Sequence, residues 1–430
     1  MGVKDTANLA LIPAAYKTSK VYSALPTDGD GDFTFTRTGS GTRINKAGLI
    51  ETMATNVPRL NYRLDADGTV SSCPELLLEP QRTNKLGYSE DFTNWSDSGV
   101  TVTANDIVAP NGTKTADKLA SSANNWRRSK SFTAVNGTTY TYSIFAKLDT
   151  TTTTTTTQVE IFKGASGFTV DFDLSNKTIV GSGLTDAFIE EYPNDWYRIG
   201  GTYTANGTTN IIYVYPSANY SIAGTMYFWG SQVEVGSYKT SYIPTPTASE
   251  ATRNKDQAEI NNFADAPTGY PFTMYVNMRI DTAVKGYGMS FGWDATSNYY
   301  YSIGYSEDSG NLRKFRFTNR GNGNAYNFNT TAEYYEGNHK LAVKFLSSTN
   351  FIAYINGIEV ANFTHTANAF NGNIQDVLVG QLREVGDTND RTPIKEAFIF
   401  NKALTDAEMV EVTSYTSFTE MATQQQYTIQ

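Results

Sequence analysis

The residues of this chain that could do chemistry are few and far apart. Its two histidines, His339 and His365, lie in HKLAV and FTHTAN, both polar strand-edge contexts. A Ser-His-Asp relay is arithmetically possible, but the Gly-x-Ser-x-Gly turn that would expose a nucleophile is missing, and GASG and YSEDSG are weak substitutes. Glycoside hydrolysis needs two carboxylates at a set separation. The nearest pairs are Asp171/Asp173 and Glu190/Glu191. Asp171 and Asp173 alternate with Val170, Phe172 and Leu174, which puts both acids on the solvent face of a strand. Glu190 and Glu191 precede Tyr192-Pro193 and read as a loop edge. So sparse an acid–base inventory predicts a protein that is not an enzyme.

Metal chemistry is no better supplied. The single cysteine, Cys73, excludes an internal disulfide and a Cys-based zinc site, and is expected to be a buried apolar thiol. DGDGD, Asp28 to Asp32, spaces three carboxylates like the start of a calcium loop. The twelfth position, where an EF-hand loop carries Glu, is Gly39, so a solvated turn is expected.

Sugar binding suits the inventory better. Aromatic faces stack on the apolar face of a pyranose, and amides and carboxylates bind its hydroxyls. Trp126 and Arg127 sit in the polar stretch SSANNWRRSKSF. Trp293 and Tyr299 to Tyr301 lie near a turn in WDATSNYYYSIGY, and Tyr326 lies in the polar RGNGNAYNFN. The glycan-binding candidates are therefore Trp126, Arg127, Trp293 and Tyr326. Trp229, which alternates with Tyr227 in a closing strand, reads as core.

Such side chains need a scaffold, and the composition favours strands. Charged residues are 18% and aromatics 13%, with 28 Tyr and 34 Gly, a mixture suited to short strands and tight turns. In TTYTYSIFAKL apolar residues fall on both faces at period two, as in a strand inside a sandwich. TQVEIF, FTVDFDL, NIIYVYP and TMYFWGSQVEV repeat the pattern. Asn136-Gly137 and Asn356-Gly357 each read as a hairpin turn between two such runs. In FTMYVNMRI, Phe272, Met274, Val276, Met278 and Ile280 share a face. Eight threonines, Thr150 to Thr157, read as a solvated loop or strand edge. One helix is expected, at ALTDAEMVEV, where Thr405 and Glu408 form a capping box. The fold class is all-β.

SYIPTPTASEATRNKDQ interrupts the pattern and reads as a linker. LLLEPQRTNKLGYSEDFTNW reads as a joint, with Phe92 and Trp95 plugging the core of the sandwich that begins there. The expected organisation is a module over 1–84, a jelly roll over 85–245, a linker over 246–262 and a second β-sandwich over 263–430 with a short C-terminal helix and tail.

The net charge is −9, and because residues 1–84 hold nine Lys/Arg and nine Asp/Glu the whole deficit falls beyond them. An acidic body argues against nucleic acid and anionic membranes as partners. No stretch approaches a membrane span and no signal peptide is visible.

The run FTFTR-x-G-x-GTRIN-x-x-GLIE, with NVPRLNY and LLLEPQRTN, resembles the N-terminal module of phage tail and head appendage proteins. RTNKLGYSEDFTNWSDSGVTVTANDIVAPNGTKTADKL, closed by YFWGSQVEVGSYKTSYIPT, resembles the carbohydrate-binding-module-like jelly rolls of phage structural proteins. HKLAVKF, NFIAYINGIEV and IKEAFIFNKALTDAEMVEV resemble concanavalin A-like, or laminin-G-like, domains. These resemblances imply a head or tail fibre on the virion surface, assembled in the bacterial host cytoplasm. Its N-terminal module would dock to capsid or tail, and its sandwiches would bind host-surface glycans. A dimer or trimer is implied, as is Trp196 as a core tryptophan. A structural calcium near the first jelly-roll strand is also implied, with Glu90 and Asp91 candidates by position. A decoration protein that binds no sugar and a polysaccharide depolymerase are the alternatives.

Overall fold

A computed structural model of the protein describes residues 2–122, 127–218, 222–280, 286–292, 299–306, 313–321, 324–366, 375–381 and 391–414. Among them one α-helix, Asp406–Ser414, interrupts a succession of strands. The capping box forms as expected: Thr405 N donates to Glu408 Oε2 at 2.7 Å, and Glu408 N to Thr405 Oγ1 at 3.2 Å.

The strands build two β-sandwiches. One is contiguous in sequence. Its sheets run Ser96–Ser98, Arg127–Thr133, Thr209–Tyr215, Thr156–Phe162, Gly167–Asp173, Thr178–Gly181, and Val100–Ile107, Ala116–Ser121, Gly224–Val235, Thr139–Leu148, Trp196–Thr204, Thr185–Tyr192. Their facing residues form a core that includes Phe92, Trp95, Tyr142, Ile144, Phe172 and Ile212. Phe92 and Trp95 are buried, their rings 4.9 Å apart, in the plugging role expected of them.

The other sandwich is built from both ends of the chain. Its eight-stranded sheet places Ile394–Phe400 between Phe272–Ile280 and Glu75–Leu76, with Leu60–Asn61 beyond and Leu9–Leu11 also pairing on Ile394–Phe400. Its nine-stranded sheet carries Phe33–Thr36 against Gln257–Ile260. Leu9, Leu11, Phe33, Phe35, Leu76 and Leu78 share one core with Phe272, Met274, Val276, Met278 and Ile280. Tyr275, on the opposite face of that last strand, is buried with Met409 and Val412 of the helix. The strand is therefore covered on both sides.

This overturns the expected organisation. Residues 1–84 are not a free-standing module, and LLLEP is not the end of one. Residues 246–262 are not a linker, because Ala251–Arg253 pairs antiparallel with Arg82–Asn84 and Gln257–Ile260 is a sheet strand. The jelly roll is an insertion, entering and leaving on that two-stranded stem. The physical reason is burial: short apolar strands at the N-terminus cover a sheet that the C-terminal segment alone leaves open.

Beside the stem lies a fully buried ionic cluster. Arg59 donates to Glu79 at 2.7 Å and to Asp256. Arg37 reaches Asp256 at 3.1 Å, and Arg253 reaches Glu79 at 3.1 Å. Ser241 N donates to Glu79 Oε1 at 2.9 Å, and Arg253 to Pro80 O at 2.7 Å. Burial pushes the Glu79 pKa up, but Arg253, Arg59 and Arg391 more than reverse it and hold it well below the usual carboxylate range. The two Asn-Gly turns also differ. At 356–357 both φ values are positive, 49° and 83°, and Ile355 pairs with Ile358 in a type I′ hairpin. At 136–137 only Gly137 is positive (80°), Thr138 N donates to Val135 O, and the flanking strands belong to different sheets. That turn, read as a hairpin, is a crossing between layers with type II character.

Candidate functional site

The jelly-roll sheet that begins at Ser96 has one face in the core, through Phe132, Ile212, Val214, Val159, Ile161, Val170 and Phe172. Alternation turns the residues between them outward. Register then decides which of those meet. Arg128 faces Val214, which sets Arg127 beside Tyr215; Tyr215 pairs with Gln158, and Gln158 with Asp171. In the adjacent row Ser129 pairs with Tyr213, Tyr213 with Glu160, and Glu160 with Thr169. Asp171 pairs in turn with Val180, which is 65% exposed.

These side chains form one network. The Arg127 guanidinium lies 3.8 Å over the centre of the Tyr213 ring. It donates to Glu160 Oε2 at 2.6 Å and to the Tyr215 hydroxyl at 2.8 Å. Tyr215 donates to the same Glu160 oxygen. Burial works against the Arg127 charge, but Tyr215 and Glu160 outweigh it and raise its pKa. Burial first, then Glu160, holds the Tyr215 phenol far above its usual range. Gln158 Nε2 donates to Asp171 Oδ1 at 2.7 Å and to Ala218 O at 3.0 Å. The outcome is a flat band of planar groups edged by an amide and two carboxylates, fixed on strands rather than loops. It can present hydrogen-bonding oxygens and a stacking surface together, as a saccharide requires.

Of the glycan-binding candidates named from sequence, only Arg127 belongs to this band, and it opens a strand; Asp171, placed on the solvent face of its strand, is there too. Trp126 and Trp293 lie outside the described residues. Tyr326 is in the other sandwich, so it does not join Arg127. Its ring stacks on His365 at 4.4 Å and 14°, and His365 Nε2 lies 3.3 Å from Asn319 Nδ2. One face of Tyr326 is thus already covered. Tyr300 and Tyr301 are buried, as are Trp196 and Trp229, which were read as core. Tyr213, Tyr215, Gln158 and Glu160 were missed. The signal available was NIIYVYP, where Tyr213 and Tyr215 fall on one face and Ile212 and Val214 on the other.

A concavity of about 1070 Å³ lies elsewhere, where the N-terminal segment, the strand Thr185–Tyr192 and the C-terminal sandwich meet. Several of its charged side chains are engaged in ion pairs. Lys239 pairs with Glu190 at 2.8 Å, Arg63 with Asp65, and Arg391 with Glu79 at 3.4 Å. Glu190 and Glu191, read as a loop edge, are in the edge strand of a sheet.

The carboxylates considered for metal have protein partners. Asp32 pairs with Lys20 and accepts from Ser23 N, and Asp30 accepts from Ala264 N. Glu90 accepts from the Tyr242 hydroxyl, and Asp91 caps Thr93 N. Among the described residues no group of three or more His, Cys, Asp or Glu gathers at metal-binding range. Cys73, expected in the core, is half-buried in a loop, where Ser71 Oγ donates to its carbonyl at 2.6 Å. Among the described residues no helix is long and apolar enough to cross a membrane.

Residues 252–409 match the Laminin_G_3 family, described as the concanavalin A-like lectin/glucanases superfamily. That stretch is similar to the concanavalin A-like superfamily. The matched region holds most of the discontinuous sandwich, without the strands that residues 9–76 add to it. No curated protein matches the chain. Among solved structures, the CBM40 of a Ruminococcus gnavus IT-sialidase is 14% identical, with a TM-score of 0.29 over 34% of this chain and 84% of that one. The heptameric SAP-like pentraxin of Limulus polyphemus is 12% identical, with a TM-score of 0.28 over 35% and 72%. The binding domain of botulinum neurotoxin DC, solved with rat synaptotagmin II, is 17% identical, with a TM-score of 0.29 over 36% and 39%. Likeness at this level says nothing of what this chain binds.

Proposed function

We propose that the protein is a non-catalytic, glycan-binding component of a phage virion appendage, and that its saccharide site is the outward jelly-roll face around Arg127, Tyr213, Glu160, Gln158 and Asp171. The observation that carries the binding role is the fixed arrangement of a guanidinium stacked on a ring, an amide and two carboxylates on rigid strands. The sandwich beside it is similar, over residues 252–409, to a superfamily named for lectins and glucanases, which supports the same reading. The virion role rests on the resemblance of residues 9–84 to appendage modules. Since those residues are woven into the sandwich, docking to capsid or tail uses a face of the whole body rather than a hinged anchor. Assembly as a dimer or trimer would multiply weak contacts with host-surface glycans through avidity.

The test is a glycan array with the full chain, followed by titration of the best ligand. Tyr213→Ala with Gln158→Ala should weaken binding about tenfold or more, the loss expected at a contact worth at least 1.4 kcal/mol. A thermal melt confirms that the double variant is folded. A chain that binds no saccharide, or one whose binding ignores this substitution, refutes the site. Mass spectrometry of purified particles tests the virion role, which fails if the protein is absent from them.

A further inference from the structure

The charge pattern of the same face specifies a ligand class, and this step rests on reading that face as a saccharide site. Among the described outward positions of its strands the one cation is Arg127, and it is spent: it stacks on Tyr213 and donates to Glu160 and Tyr215. The acids outnumber it. Glu160, Asp171 and Asp173 all point outward, leaving a net charge of −2 from three acids and one base. Asp173 is tied up in its turn, accepting from Ser175 N at 3.0 Å and Asn176 Nδ2 at 2.8 Å. Asp171 stands at the open side, between Gln158 and the exposed Val180. A carboxylate brought to this band would meet like charge with no available cation, inside a chain of net charge −9. An ammonium placed over Asp171 would gain a charge-assisted hydrogen bond while the rest of its sugar lay along Gln158 and the Arg127–Tyr213 stack.

We infer that this face takes saccharides carrying a free amine, binds neutral ones less tightly and rejects acidic ones. The experiment is calorimetric titration of the full chain with glucosamine, glucose and galacturonate oligomers of equal length, at a pH where the amine is protonated, in low and high salt. The glucosamine oligomer should bind about tenfold tighter than the glucose oligomer, the order expected for one partly solvated charge pair, and the galacturonate oligomer weakest. Asp171→Asn should abolish the preference, so that amine and neutral oligomers bind alike. Val180→Lys, at an exposed position that disturbs no hydrogen bond of the network, should do the same and improve uronate binding.

Tightest binding of the uronate through this face overturns the ligand class while leaving the saccharide site standing. An amine preference that survives both substitutions also overturns it, since the attraction then belongs to the acidic body at large. Failure of all three oligomers, together with an empty glycan array, removes the site itself.

Discussion

The two sandwiches have similar strands and opposite construction. The jelly roll is drawn from one uninterrupted segment and sits on a short antiparallel stem, Arg82–Asn84 with Ala251–Arg253. The other sandwich is closed by pairings between the two ends of the chain, such as Leu9 with Ile399 and Leu76 with Ile394. An insertion of this kind can fold from its own contacts, whereas its host must bring distant segments together before any apolar contact repays the loop entropy. The buried Arg37–Arg59–Glu79–Arg253–Asp256 cluster lies where the two meet and fixes how the stem leaves the host.

The most severe way to break this difference is to delete residues 1–84. Among the buried apolar side chains that the host loses are Leu9, Leu11, Phe33, Phe35, Leu76 and Leu78. At about 2 kcal/mol each this is roughly 12 kcal/mol, comparable to the entire stability of a typical domain. Limited proteolysis should then digest the region from 254 onward while the jelly roll survives as a resistant fragment. A protected C-terminal fragment would mean that the N-terminal strands only decorate the host. Next in size is Asp256→Ala, which leaves Arg37 and Arg59 buried without their shared carboxylate. Removing one partner of a buried pair costs about 3–5 kcal/mol. Chemical denaturation should show that loss in the host transition, with the jelly-roll transition moved far less.

What could be read from the sequence tracks the same division. Alternation in TTYTYSIFAKL, FTVDFDL and NIIYVYP announces strands because each run carries its own period, and all three are strands. The Asn356-Gly357 hairpin and the Thr405 capping box are likewise local, and both form. Leu60–Asn61 and Glu75–Leu76 are two residues long, too short to show any period; they pair with each other, and join the sheet only where Leu76 meets Ile394, more than 300 residues away. Nothing in LLLEP shows that Glu79 is buried, because the arginines that make burial tolerable stand at 59 and 253. The candidate site was half-legible for a related reason. Arg127 stood out in a polar stretch, but the tyrosines of NIIYVYP were hidden by apolar residues on the other face of the same strand. Which of two apolar faces looks outward depends on the neighbouring sheet, and no single strand carries that information.

Acid should separate the two bodies by a smaller margin and in opposite senses. Glu79 in the host is held below its ordinary pKa range by Arg253, Arg59 and Arg391, against the push of burial. A depressed carboxyl contributes stability that is complete above its unfolded pKa, and that is lost as the pH falls toward its folded value. In the jelly roll Glu90 and Asp117 are shifted the other way, chiefly by burial. Asp117 spends its oxygens on Phe92 N and Asn105 N, and Glu90 accepts from Tyr242. A raised carboxyl is destabilising while ionised, and that penalty is relieved as the pH falls through its folded value. Those two carboxyls take up their protons ahead of carboxyls in the ordinary range. From neutrality down to about pH 5, just above the ordinary carboxylate range, the jelly-roll melting temperature should rise slightly, while the host, whose His339 is held below its ordinary range by burial, should lose a little as the unfolded imidazole takes up its proton. Below that range the host should lose stability as Glu79 takes up its proton. Glu90→Gln should flatten the early rise in the jelly roll and leave the host curve untouched. Calorimetry across the pH series resolves this, and a host transition that strengthens in acid would contradict the role given to the ionic cluster.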